Sequence, residues 1–297
     1  MLFSQCIHEY LKYVEEEKGL SGATVENYAY ELNRFHLYFK EKDIDLIPKE
    51  VTLQDIHQYI SWLREERGYK PASVKRILSI IRSFFNYLVW TGACGLKENP
   101  TNNIPSVRAQ KKLPLVLSLA ESQKFLRGIK KVSSYPARDY AIFLLFLQAC
   151  CRLQELQQLK LTSIDLQEGY VDIDGLGGLR RVPLMPEVCE ALADYLDVRN
   201  HIGGTDFLFL SPTGSPMNKS GISSLFKSLA KKTGVYRKGL SVHKLRHTCL
   251  AFKLQEGVKI GELQEIAGHA SPSSTSIYKR VVELQKIRQL GMSVGER

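Results

Sequence analysis

Through the N-terminal third of the chain, apolar side chains return every three or four positions, the period of a helix with one buried face. Val25, Tyr28, Leu32, Phe35 and Phe39 form one such stripe. Thr52 followed by Asp55 reads as a capping box, and Ile56, Ile60 and Leu63 continue a second stripe behind it. Pro71, whose ring presets the dihedral of a first helical turn, opens the best-patterned segment. There Val74, Ile77, Ile81, Phe84 and Leu88 share one face before the break at Gly92 to Gly95. Lys75 and Arg82 lie together on another face of that helix, which is either an ordinary solvated surface or a contact for DNA.

The periodicity stops between Glu98 and Leu119, where Pro100, Pro105 and Pro114 punctuate a stretch carrying Arg108, Lys111 and Lys112. This composition predicts a linker, either merely solvated or lying along a phosphate backbone. Ser118 and Glu121 then set up a second capping box, and helices resume around the apolar run Ala141 to Cys151. Tyr170 to Asp174 alternates as a strand does. A glycine-rich turn follows from Gly175 to Gly178, Arg181 to Leu184 is its expected partner, and Phe207 to Leu210 is a candidate third strand. From Lys219 onward the pattern is mostly helical. The fold expected is therefore mainly α, with a helical N-terminal domain (1–104), a basic linker (105–118) and a mixed, mostly helical C-terminal domain with a small antiparallel β-sheet (119–297).

Composition narrows the class. With 44% hydrophobic and 24% charged residues in 297, the chain has the balance of a globular protein and length for two domains. Of the formal charge of +10, +8 lies beyond Lys112, which favours a polyanionic partner, since each cation that neutralises a phosphate releases counterions. Cys6, Cys94, Cys150, Cys151, Cys189 and Cys249 show no CxxC pair and no zinc spacing, so free thiols and no metal site are expected. Residues 1–13 carry His8 and Glu9 where a signal peptide needs an unbroken apolar run, and Ala141 to Leu147 is too short to span a bilayer. A cytoplasmic protein without membrane contact is the expectation.

Three places could carry chemistry. His243 and Arg246, three apart in the helical segment that also holds Lys244, lie on one side of it. A planar guanidinium there could grip a phosphodiester while the imidazole handles a proton, although a polar surface helix has the same appearance. Arg152 and Glu155 follow an apolar run, so a buried helix ends on a charge that needs an anionic partner, whether protein carboxylate or substrate phosphate. Gly268 and His269 precede Thr275, Ile277 and Tyr278; a lone tyrosine there is ordinarily a packing residue.

Order and spacing decide between these readings. Arg152 within R-x-x-E-L, then a strand pair, then His243-x-x-Arg246, then Gly268-His269 with Tyr278 beyond, resembles the tyrosine recombinase (phage integrase) family. Its Xer-like and transposon-integrase members are the most similar. The resemblance covers nearly the whole chain: Thr24 to Leu88 is similar to the family's core-binding domain, Gly68 to Trp90 to its DNA-reaching helix, Leu119 to Tyr278 to its catalytic domain. The tail from Val281 to Gly291 is similar to the segment that packs onto a neighbouring protomer. It implies a site-specific recombinase that attacks DNA with Tyr278, forms a 3′-phosphotyrosyl bond, and needs neither ATP nor metal nor other cofactor. It further implies that Arg152 and Arg246 stabilise the transition-state charge, that His243 accepts the tyrosine proton and that His269 bonds a phosphate oxygen. Lys75, Arg82, Arg108, Lys111, Lys112, Arg180, Arg181 and Lys244 would contact double-stranded DNA, in a homo-oligomer (a tetramer on two paired sites), with or without a sister recombinase.

The sequence departs from the family at the hairpin, where G-K-G normally supplies a lysine that protonates the leaving oxygen. Here it reads Gly175-Leu176-Gly177, and Cys150 stands where glycine is common. Leucine donates no proton, and a positioned acid contributes about a hundred- to ten-thousand-fold in rate. Arg180 could stabilise the leaving oxygen instead, Lys219 or a neighbouring protomer's lysine could reach in, or the protein is an attenuated homologue that serves as a DNA-binding accessory factor. A type IB topoisomerase, using related tyrosine chemistry, is the remaining alternative.

Overall fold

The computed structural model describes residues 2–42, 47–105, 113–175, 177–199, 204–269 and 273–289. Its contacts divide the chain into two compact units, Met1–Lys111 and Lys112–Arg297. Arg108, Lys111, Lys112 and Leu176 fall outside the described residues.

The first unit is built from α1 (Phe3–Glu16), α2 (Gly22–Lys40), α3 (Leu53–Glu65) and α4 (Pro71–Thr91). The Thr52 box forms as expected, with the Asp55 N–H donating to the Thr52 hydroxyl and the Thr52 N–H to the Asp55 carboxylate. Pro71 opens α4, and Gly92 closes it in the left-handed conformation (φ 64°) that glycine adopts without a Cβ clash. The stripes meet in an aromatic core where Phe35 contacts Phe39, Tyr59 and Phe85 edge-on. Each such ring taken out of water contributes roughly 1.5–3 kcal/mol. α1 adds Phe3, Cys6, Ile7, Tyr10 and Val14 to this core, and the sulfurs of Cys6 and Cys94 lie 2.9 Å apart.

Arg82, half-buried, makes its hydrogen bonds within the protein. Its guanidinium donates to the carbonyls of Thr101 and Ile104 and to the Thr101 hydroxyl. Asn99 in turn donates to the Arg82 carbonyl, so Arg82 fastens the chain that follows α4. Lys75 is exposed as expected.

In the second unit, α6 (Pro136–Ala149) is the central helix. Its residues 141–147 are all buried, and α5 (Leu119–Val132), α8 (Pro186–Arg199) and α10 (Val242–Gln255) pack around it. The Ser118–Glu121 capping box starts α5. The sheet has order β1 (Ile164–Asp165), β2 (Tyr170–Ile173), β3 (Arg180–Pro183), all antiparallel, with Val171 opposite Val182 and Asp172 opposite Arg181. Thus the expected hairpin forms, but the third strand is Ile164–Asp165. Phe207 to Leu210 makes only isolated bridges, because its backbone is occupied otherwise. Arg199 donates to the carbonyls of Thr205, Phe207 and Leu208, and the Leu210 N–H donates to the Tyr195 hydroxyl.

The thiol expectation is corrected at one pair: Cys150 and Cys249 form a disulfide that ties the end of α6 to α10. A sequence separation of 99 residues hid the pairing. Among the described residues no helix is long and apolar enough to cross a membrane.

Candidate active site

Three short elements carry the site in the second unit. Arg152 is the N-cap of α7 (Leu153–Gln158), a helix that starts just after Cys150 leaves α6 in the left-handed conformation (φ 51°). His243, Arg246 and His247 lie on α10. α11 (Ile260–Ala267) ends at Gly268, again left-handed (φ 57°), and delivers His269 to the same place. A Cβ on Gly268 would meet a guanidinium nitrogen of Arg180 at 3.2 Å and one of Arg152 at 3.4 Å, so this glycine allows two cations to close over the turn.

Successive backbone carbonyls of that turn gather the arginines. Arg246 donates to the Ala267 carbonyl and Arg152 to the Gly268 carbonyl at 2.6 Å, immediately before His269. Arg246 also donates to the carbonyl of Cys150. Arg152, Arg246 and His269, far apart in sequence, are thereby brought together.

Glu155, 4% exposed, is the one carboxylate at the centre of this cluster among the described residues. It accepts from Arg152 at 2.6 Å and from both terminal nitrogens of Arg180 at 2.6 and 3.1 Å, while Arg246 stands 3.8 Å away. Burial pushes its pKa up, but the hydrogen bonds from Arg180 and from the Arg152 N–H and side chain outweigh this and hold it below the usual carboxylate range. Three guanidiniums around one carboxylate leave a local positive excess, which suits a further anion such as a phosphate. Burial, reinforced by Arg152, lowers Arg246 to about 10.

Arg180 is therefore not a free cation in the lysine's place. It is ligated by Glu155 and also donates to the Ile266 carbonyl, so it locks β3 to the end of α11. Arg181, on the opposite face of the strand, makes two hydrogen bonds to Asp172 and lies 3.6 Å over the Tyr170 ring. Lys244 is half-buried, and His243 is exposed on the first turn of α10.

The expected partner of the tyrosine hydroxyl was His243. The hydroxyl instead lies 2.5 Å from Nδ1 of His247. Tyr278 sits on α12 (Ser273–Gln289), 2% exposed, in an apolar cluster with Cys150, Cys249, Leu250, Leu263 and Ala267. Burial raises its pKa to about 12 and lowers that of His247 to about 4, so the phenol stays protonated and the ring stays neutral, and the imidazole tautomer sets which of the two donates. His269 pairs through Nδ1 with the Thr275 hydroxyl at 2.9 Å, and burial together with Arg246 and Arg152 lowers it to about 4. His247 has no part in the ordered motif set of the sequence. Its only signal was its place one turn beyond His243.

Among the described residues, no group of three or more His, Cys, Asp and Glu side chains is placed to hold a metal ion. A cavity of about 260 Å³ opens beside Arg152, lined also by Gln154, Glu155, Gln158, Asp174 and Gly175.

Comparison with known proteins adds independent findings. Residues 116–284 match the model of the phage integrase family, and residues 7–92 match that of the phage integrase N-terminal SAM-like domain. The chain is 33% identical to tyrosine recombinase XerC of Caldanaerobacter subterraneus, over 94% of this chain and 84% of that protein. It is 31% identical to tyrosine recombinase XerD of Staphylococcus haemolyticus, over 96% of each. The fold matches the crystal structure of XerH site-specific recombinase bound to palindromic difH substrate, a post-cleavage complex. The TM-score is 0.79 at 24% identity, covering 97% of this chain and 84% of that one.

Proposed function

Because this chain belongs to the phage integrase family and is a site-specific tyrosine recombinase of Xer type, we propose that it cuts and rejoins double-stranded DNA through a 3′-phosphotyrosyl bond on Tyr278. The observation that carries this reading is the convergence of Arg152 and Arg246 on consecutive carbonyls beside His269. A phosphodiester placed there meets two fixed guanidiniums and an imidazole. These donors counter the extra charge of a pentacoordinate phosphorus, and oriented donors of this kind contribute about 3–4 kcal/mol apiece to a transition state. Tyr278 attacks the phosphorus and the 5′-oxygen leaves; the released 5′-hydroxyl of a paired duplex later attacks the phosphotyrosine and frees the enzyme. The bond energy is conserved in the ester, so the scheme calls for no nucleotide cofactor. His243, three residues before Arg246 and open to solvent, is the group assigned to handle the tyrosine proton once DNA is seated.

Lys75, Arg181, Lys244 and the linker cations Arg108, Lys111 and Lys112 are assigned to backbone phosphates. Arg82 and Arg180 are assigned to holding the protein chain instead, on their hydrogen bonds. The assembly proposed is a tetramer on two paired sites, with or without a sister recombinase; the XerH relative is itself a DNA complex.

One observation favours a second reading. Leu176 stands where the resemblance calls for the proton-donating lysine, and Arg180 is held by Glu155 and the Ile266 carbonyl. On this reading the protein binds its site as an attenuated homologue and an active partner supplies the cutting.

The deciding experiment incubates the protein with nicked genomic fragments, denatures the mixture and sequences the DNA that remains attached, with Tyr278→Phe alongside. Attachment that disappears in the variant establishes the nucleophile and reads out the site. DNA bound before denaturation but never attached rejects cutting in favour of the accessory reading, and Leu176→Lys should then restore it.

A further inference from the structure

The nucleophile proposed above is in no position to attack. Tyr278 is 2% exposed and enclosed by Leu250, Leu263, Ala267 and the Cys150–Cys249 bridge, so an incoming phosphate cannot reach its oxygen unless α12 shifts. The catalytic candidates are engaged elsewhere. Arg152 bonds Glu155 and the Gly268 carbonyl, Arg246 bonds the Cys150 and Ala267 carbonyls, and His269 bonds Thr275. The polar contact that the buried hydroxyl does make is to Nδ1 of His247, across from α12 on α10.

From this geometry we propose that His247 is a positioning residue for recombination, a resting latch that holds the Tyr278 side chain withdrawn until DNA displaces it. A buried hydroxyl with no partner is costly, so a hydrogen-bonding group at this point stabilises the withdrawn position selectively; solvent can satisfy the hydroxyl when it is out. His247 adjoins Arg246 in sequence and lies one helical turn from His243. A phosphate that pulls on Arg246 therefore strains the same turn of α10 that carries the latch. Burial keeps the phenol protonated and the imidazole neutral, with the tautomer of the ring setting the direction of the bond. The pair is thus a hydrogen bond and not a poised proton transfer.

This inference rests on Tyr278 being the nucleophile, and its test is read in two ways that fail separately. In the DNA-free full-length protein, tetranitromethane nitrates accessible tyrosines, and mass spectrometry reports each peptide. Wild type should protect Tyr278 while modifying Tyr30, which is 61% exposed. His247→Leu removes the partner and should raise nitration of Tyr278 by roughly tenfold, the size expected for one lost buried hydrogen bond. His247→Asn, whose amide oxygen sits near the Nδ1 position, should restore protection. Should the Leu variant fail to melt cooperatively, His247→Gln replaces it, since its amide reaches the Nε2 position and leaves the phenol unpaired. The same variants are then assayed for covalent attachment to nicked DNA fragments at limiting protein. Release of the latch should speed attachment with the Leu or Gln side chain and leave Asn near wild type. Unchanged nitration in the Leu or Gln variant overturns the latch. Attachment that collapses while nitration stays at the wild-type level overturns it as well, and makes His247 the proton acceptor in the chemical step. If no variant, wild type included, ever attaches to DNA, the nucleophile assignment fails while the nitration result still decides the hydrogen bond.

Discussion

Replacing Glu155 with Gln tests whether the site is built around one carboxylate. The change keeps size and one acceptor oxygen but removes the charge that holds Arg152 and Arg180 at 2.6 Å and faces Arg246 at 3.8 Å. The side chain of Arg180 is 11% exposed and that of Arg246 9%, so water recovers little of the lost interaction. Breaking a buried pair from one side costs about 3–5 kcal/mol, and the retained amide oxygen places Glu155→Gln near ~3 kcal/mol. In a domain of this size that lowers the melting temperature by roughly 6–12 °C. Sulfate, shaped and charged like a phosphate, should fill the vacated role and recover part of the loss, stabilising the variant more than the wild type. The assay is thermal melting in low-salt buffer with and without sulfate. A variant that melts within ~1 kcal/mol of wild type, or a sulfate increment equal in both proteins, refutes the reasoning that Glu155 neutralises the cluster.

Gly175→Ala should act through the same carboxylate: a Cβ there lies 2.4 Å from Glu155 Oε1, which its arginines hold in place, so the site must distort, and covalent attachment to DNA should fall with only a modest change in melting. His247 and His269 have folded-state pKa values of about 4, below the ordinary 6.5 or so, so their contribution to stability is full above the unfolded value and is lost as pH falls from there toward 4. With partial exposure discounted, each contributes about 1–2 kcal/mol of loss between pH 7.5 and 5, read as a falling melting temperature that His247→Asn makes shallower; a flat profile in wild type rejects it. Arg82→Ala should lower the melting temperature of the first unit by removing its bonds to Thr101 and Ile104, whereas Lys75→Ala should leave melting unchanged and weaken salt-sensitive DNA binding, and the reverse pattern would return Arg82 to the DNA face.

The sequence by itself determined what depends on neighbours along the chain. Stripes at Val74 to Leu88 and boxes at Thr52 and Ser118 were legible because helix periodicity and capping act over three or four residues. The hairpin at Tyr170 was legible from alternation and its glycine turn. Family order likewise marked Arg152, His243, Arg246, His269 and Tyr278 as one set. Tertiary structure decided the partners. Arg82, Arg180 and Lys75 are all cations that the sequence assigned alike to DNA, yet packing gives the first two carbonyl or carboxylate partners within the protein and leaves the third in solvent. Phe207 to Leu210 has strand composition, but Arg199 and Tyr195 reach its backbone first. Cys150 and Cys249 meet only because α6 and α10 pack together, and His247 rather than His243 meets Tyr278 because α12 seats the phenol one turn further along α10. Hydrogen bonds and burial are satisfied by whatever the fold brings within about 3 Å, and that proximity is not written in local spacing.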